Sequence, residues 1–211
     1  MLNATEICNI ALSHLAKGRI SSIDEATEQA RQCKLFYDYT RQALLREYNW
    51  GFAKRLVKLA EVKTEDPRWT CVYAYPKQCV QVRRIFNVMT TYDAYDNPKV
   101  VERKCVHDKD RHKYEVYMVS DNVRGIGCDI RQAWCEYTCD ATDTEQFPSD
   151  FVEAFTHMLA SNMAMQLTGN MNIQNSEYQH AQAVINKAVY TTASEKYDKP
   201  DMPHKYFDGR R

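Results

Sequence analysis

The hydrophobic period of this chain changes twice, and that change limits what it can fold into more than any other feature. Up to about Tyr48, apolar residues recur every three or four positions. From 56 to 139 they alternate with polar ones, and from Phe147 onward the helical spacing returns. A helix buries one stripe and a half-buried strand buries alternate residues. The pattern therefore predicts helices at both ends and strands between them.

Asn3 with Glu6 has the form of a capping box, and Ile7, Ile10, Ala11 and Leu15 mark a short helix that Gly18 is expected to stop. Ser22 with Glu25 repeats the signature. Ala26, Ala30, Cys33, Phe36, Tyr37, Leu44 and Tyr48 then predict a long helix ending near Asn49. Strands are expected at 56–60, 72–75, 80–86, 114–119 and 133–139, separated by Asp66-Pro67, Tyr75-Pro76, Asp96-Asn97-Pro98 and Asp121-Asn122. Ser149 or Asp150 is the expected cap of a third helix, whose stripe is Phe151, Phe155, Met158, Leu159, Met163 and Leu167, with a stop at Gly169. In a fourth, Tyr178, Ala181, Val184, Ile185, Ala188, Val189 and Thr192 keep the spacing. Pro200 and Pro203 then turn the end of the chain into an extended arm.

Helices with one apolar stripe each must bury it, and the simplest partners are one another. The expected fold is α+β: a four-helix bundle formed by the N- and C-terminal helices (1–52 and 147–195), an inserted small antiparallel β-sheet (53–146) and an extended C-terminal arm (196–211).

Twenty-eight Lys and Arg balance 28 Asp and Glu among 211 residues. A protein that grips DNA by neutralising phosphates normally has cations in surplus, so a dedicated DNA binder is not expected. The basic candidates Arg83, Arg84, Arg41, Arg46, Lys54 and Arg55 lie among the acids Asp38, Glu47 and Glu61. The N-terminus lacks the basic cluster and apolar run of a secretory signal, and no stretch approaches the roughly 20 apolar residues of a membrane span. A soluble protein made in a cytosol is expected, with most of its eight cysteines as small buried hydrophobes.

The sequence points to no catalytic residue, no cofactor and no metal. Cys135 and Cys139, four apart on a strand, are separated by about 13 Å, too far for one ion. Cys105, His107, Asp108, Asp110 and His112 fall in a run of mixed charge that suits a solvated turn. Gly125-Ile126-Gly127 lacks the third glycine and the helix of a dinucleotide loop. His157, between Phe155 and Met158, suits the edge of a core. Asp24-Glu25 and Asp143 with Glu145 stand near helix starts, where the dipole favours acids.

Tyr37-Asp38-Tyr39-Thr40-Arg41-Gln42-Ala43-Leu44-Leu45-Arg46-Glu47-Tyr48-Asn49-Trp50-Gly51-Phe52-Ala53 resembles the helix-to-Trp-x-Phe-Ala junction of the head-to-tail adaptors of short-tailed bacteriophages, the tail tubular protein A type. Tyr73-Ala74-Tyr75-Pro76 with 79–85 is similar to the strand pair that follows in that family, and Phe147 to Phe155 to the start of its penultimate helix. The resemblance runs from Glu6 to about Ala193. It implies a non-enzymatic virion protein at the head-tail junction, synthesised in the host cytoplasm. Family members form a homo-oligomeric ring, usually of twelve copies, between the portal protein and the tail nozzle protein, and they leave a channel in which DNA makes transient non-specific contact.

Such a ring needs two different surfaces per subunit. Candidate contact residues are Trp50 and Phe52 at the junction, where packing inside one subunit is the favoured role, and Tyr206, Phe207, Arg210 and Arg211 in the arm. The alternatives from other classes are a virion-associated cell-wall hydrolase and a small DNA-binding packaging regulator.

Overall fold

The computed structural model describes residues 2–62, 66–92, 98–102 and 113–195. The expected arm, with Tyr206, Phe207, Arg210 and Arg211, lies outside them, as does the group from Cys105 to His112. The chain is α+β, with four helices and eight strands in the order ααββββββββαα among the described residues.

Helix α1 (Ala4–His14) starts on the expected capping box: Asn3 Oδ1 accepts from the Glu6 amide at 2.9 Å, and Glu6 Oε2 accepts from the Asn3 amide at 2.7 Å. Its end differs from expectation. Ala16, not Gly18, takes the left-handed conformation (φ 52°), while the Lys17 and Ala16 amides return to the Leu12 and Ser13 carbonyls. This pairing satisfies carbonyls that the helix end would leave bare. Helix α2 (Glu28–Glu47) is capped by Thr27 rather than Ser22. The Ser22/Glu25 signature instead folds a turn, in which Glu25 accepts from the Ser21 and Ser22 amides.

Helix α3 (Ser149–Thr168) has Pro148 at its N-cap position, and of the two expected residues Asp150 accepts from a free first-turn amide, that of Phe151, at 2.8 Å. It stops where Gly169 turns left-handed (φ 66°). Helix α4 (Met171–Glu195) follows. One stripe was expected on α3, but ten of its residues are buried, among them Ala154, Thr156, Ala160, Ser161 and Ala164 beside the large side chains. The reason is its position: α3 packs against α1, α2 and α4. Small residues let neighbours approach, and buried polar groups are satisfied across the contacts, Ser161 Oγ donating to the Gln174 carbonyl and Asn162 Nδ2 to Thr40 Oγ1. Residues from all four helices share one core with Trp50, Ala53, Cys139 and Ala141.

Strands β1 (Lys54–Lys58), β2 (Cys71–Ala74), β3 (Cys79–Phe86), β4 (Val88–Tyr92), β5 (Pro98–Glu102), β6 (Tyr114–Ser120), β7 (Val123–Cys128) and β8 (Trp134–Cys139) do not make the single sheet expected. They form two antiparallel three-stranded sheets, β1-β8-β3 and β2-β7-β6, and a β4-β5 hairpin. Both sheets contribute to a second core, in which Val82, Ile85 and Cys135 meet Tyr73, Ile126 and Cys128. Facing the sheets this way hides an apolar face of each from water. Strand β7, which is not among the expected strands, carries Gly125 and Gly127. At Gly127 a Cβ would stand 2.3 Å from Trp69 Cδ1, and at Gly125 2.4 Å from Val119 Cγ2, so a side chain at either position would force its neighbour to shift.

Candidate functional site

The α2-to-β1 junction joins the two cores. Trp50 is 1% exposed and donates from Nε1 to the Leu44 carbonyl at 3.0 Å. Its ring meets Phe151 edge-on at 5.0 Å, and Phe52, half-buried, meets Phe147 and Phe151 in turn. Trp50 is thus buried within the chain itself. Edge-to-face contacts add about 0.5–1.5 kcal/mol each beyond area burial, so the cluster holds the junction rigid.

Arg41, buried on α2, crosses the same seam. Its Nη1 donates to the Ala141 carbonyl at 2.7 Å and to Asp140, while Nη2 reaches Asp38 at 3.1 Å. Arg83 donates to the Trp50 carbonyl at 2.6 Å and to Thr138 at 2.9 Å, and burial holds its guanidinium below its ordinary value. Arg84 and Lys54 share Glu136, and Arg55 caps the Phe52 and Lys54 carbonyls. Arg41 therefore ties α2 to the end of β8, Arg83 ties β3 to β8 and to the junction, Arg84 and Lys54 tie β3 and β1 to β8, and Arg55 bonds its own neighbouring carbonyls. Only Arg46 of that group stands on an open groove.

That groove, of about 580 Å³, runs between α2 and the β2-β3 turn and is lined by Tyr39, Ala43, Arg46, Tyr75 and Pro76. Leu35 and Tyr39, one turn apart on α2, are 65% and 66% exposed and lead into it. Helix α4 carries a second set of exposed apolar side chains. Met171, Tyr178 and Val189 are exposed and, at 3.6 residues per turn, fall within about 20° of one line. Tyr178 and Val189 were expected to face the core. Ala181, Ile185 and Ala188 are buried as expected, joined by Glu177, and Tyr178 and Val189 sit on the flank of that stripe.

A histidine group lies where α1, α3 and α4 meet. His14 and His157 stack with ring centroids 4.2 Å apart, His180 meets His157 edge-on at 5.4 Å, and His157 Nδ1 is 2.7 Å from Glu177 Oε2. Burial first, and then the neighbouring His157, hold the His14 imidazole below its ordinary value, with Glu177 pulling the other way. A cleft of about 530 Å³, walled by Ile10, Phe147, Val152 and Thr156, opens onto His14 and His157.

The sequence singled out His157 alone among these. The only local sign of the rest is Glu177 with His180, three apart and so on one face of α4. All seven described cysteines are free, and all but Cys79 are buried. No helix of the structure is long and apolar enough to cross a membrane, among the described residues. No family model matches the chain, and no curated protein matches it.

Proposed function

We propose that the chain is a structural adaptor of a bacteriophage virion, which closes into a ring at the head-tail junction and joins a portal protein to a tail nozzle protein without carrying out a reaction. The observation that carries this reading is the presence of two separate sets of exposed large apolar side chains, Leu35 with Tyr39 on α2 and Met171, Tyr178 and Val189 on α4. A head-to-tail ring requires two unlike surfaces on each subunit, one for each neighbour. Large aromatic and Met side chains are the types enriched in such contacts. The resemblance in the Tyr37 to Ala53 segment supports the same reading.

In this reading the four helices act as one bundle, locked to the sheets by Trp50 and Arg41, and the arm 196–211 orders on a neighbour or on the portal. Five of the six cations picked out in the sequence bond carbonyls or carboxylates of the chain itself, Arg41 and Arg83 from partly or fully buried positions and Lys54, Arg55 and Arg84 at the surface. A channel wall built this way holds phosphates weakly, and passing DNA is not retained.

The test is electron microscopy of the chain mixed with portal rings of a short-tailed phage. A second ring of density beneath the portal is expected, and its loss when 196–211 are deleted assigns the arm its role. Portal rings left bare, or a chain that releases sugar from purified peptidoglycan, overturn the proposal. So does a tight gel shift of random duplex at physiological salt.

A further inference from the structure

We propose that His14, His157 and Glu177 form a binding site for a divalent transition-metal ion of the zinc class. One donor atom from each of the three residues lies within 4.8 Å of the other two. They come from α1, α3 and α4, so the site is assembled by the fold and not by a turn. Two imidazoles and a carboxylate are a ligand set zinc accepts, whereas calcium and magnesium prefer oxygen alone.

Bonds of about 2.0–2.2 Å to a tetrahedral ion place donors roughly 3.4 Å apart, so the wider separations, up to 4.8 Å, must close by as much as about 1.4 Å, while the 2.7 Å His157–Glu177 pair opens by about 0.7 Å. His14 can supply most of that. It stands in the last turn of α1, half-buried, where the helix carbonyls favour a cation. Its ring lies only 20° from parallel to that of His157, and an ion cannot lie in the plane of both. Binding therefore turns His14 out of the stack. The 2.7 Å contact between His157 Nδ1 and Glu177 Oε2 is bridged by one proton. The ion takes that proton's place, and the proton leaves to solvent. The cleft beside His14 and His157 gives the ion its way in. Once bound, the ion clamps α1 and α4 onto α3, independently of any ring.

The test uses the full chain, free of tags and dialysed against chelator, titrated with Co²⁺ while visible absorption is followed. One Co²⁺ per chain with tetrahedral absorption bands, displaced by Zn²⁺, is expected, together with a rise in melting temperature on adding Zn²⁺. Glu177→Gln and His157→Ala weaken uptake by about tenfold or more, and the double variant His107→Ala, His112→Ala leaves it unchanged. Because His157→Ala removes a packed ring, wild-type protein provides a second measurement: Zn²⁺ slows diethylpyrocarbonate modification of His14 and His157 and not of His112. No uptake by the wild type, uptake that follows His107 and His112, or unprotected His14 and His157 overturns the proposal.

Discussion

Replacing Arg41 by Met removes a buried guanidinium while leaving most of the volume of its stem. Three acceptors feel the loss unequally. The Asp38 side chain is 77% exposed, so its contact is worth little. The Ala141 carbonyl loses a charge-assisted bond of 2.7 Å, which typically contributes about 1.5–3 kcal/mol. Asp140, three-quarters buried, keeps only Gln42 Nε2 at 3.0 Å against a stranded charge. Breaking a fully buried ion pair costs about 3–5 kcal/mol, and the partial exposure of Asp140 points to the low end, about 3 kcal/mol. With a urea slope of about 2 kcal/mol per molar, the unfolding midpoint falls by about 1.5 M. Urea titration followed by far-ultraviolet circular dichroism and by tryptophan fluorescence measures it, and the two probes should move together. Adding Asp140→Asn should recover about 1–2 kcal/mol, since the second change neutralises the stranded carboxylate. A loss below about 1 kcal/mol, or no recovery in the double variant, refutes the view that this pair locks α2 to the sheets.

Ala16→Gly should raise stability by about 0.5–1 kcal/mol in the same assay, because Ala16 holds a left-handed conformation that costs an L side chain and not glycine. Gly127→Ala should cost about 1–3 kcal/mol, since the new Cβ would displace Trp69; an unchanged midpoint argues against that close approach. Burial pushes the Cys135 thiol up to about 12 and raises the Cys128 thiol as well, so at pH 8 both stay protonated. A thiol reagent followed by peptide mapping should find them unreactive until the chain unfolds. Phe155→Asp places an unpaired charge in the centre of the helical core and should abolish the cooperative transition, a loss of several kcal/mol; a melt within a few degrees of wild type contradicts that placement.

Local chemistry was readable wherever the signal lay within a few residues. The Asn3/Glu6 box and the Gly169 stop were legible because each is satisfied by its own neighbours. The Ser22/Glu25 pair forms only half of a box: Glu25 accepts from the Ser22 amide, but Ser22 Oγ accepts from the Asp24 amide, and the segment folds as a turn. Strand β7 was hidden because its glycines exist for Trp69 and Val119, which are distant or on the next strand. On α3, Ala154, Ala160 and Ala164 carried no stripe because their burial comes from helices packed on several sides. Tyr178 and Val189 share the helical period of the buried residues but sit at its edge, a rotation that spacing alone cannot resolve. The histidine group is long-range by nature: residues 14, 157 and 180 meet only after the helices pack.

Mass photometry and sedimentation velocity of the concentrated chain, with Tyr39→Asp and Tyr178→Asp as variants, test the adaptor reading most directly. The wild type should shift with concentration from monomer to one closed species. Each variant alone should stay monomeric, and the two mixed should stop at dimers, because each keeps the surface the other lacks. A wild-type chain that remains monomeric at every concentration, or variants that assemble as the wild type does, contradicts the account.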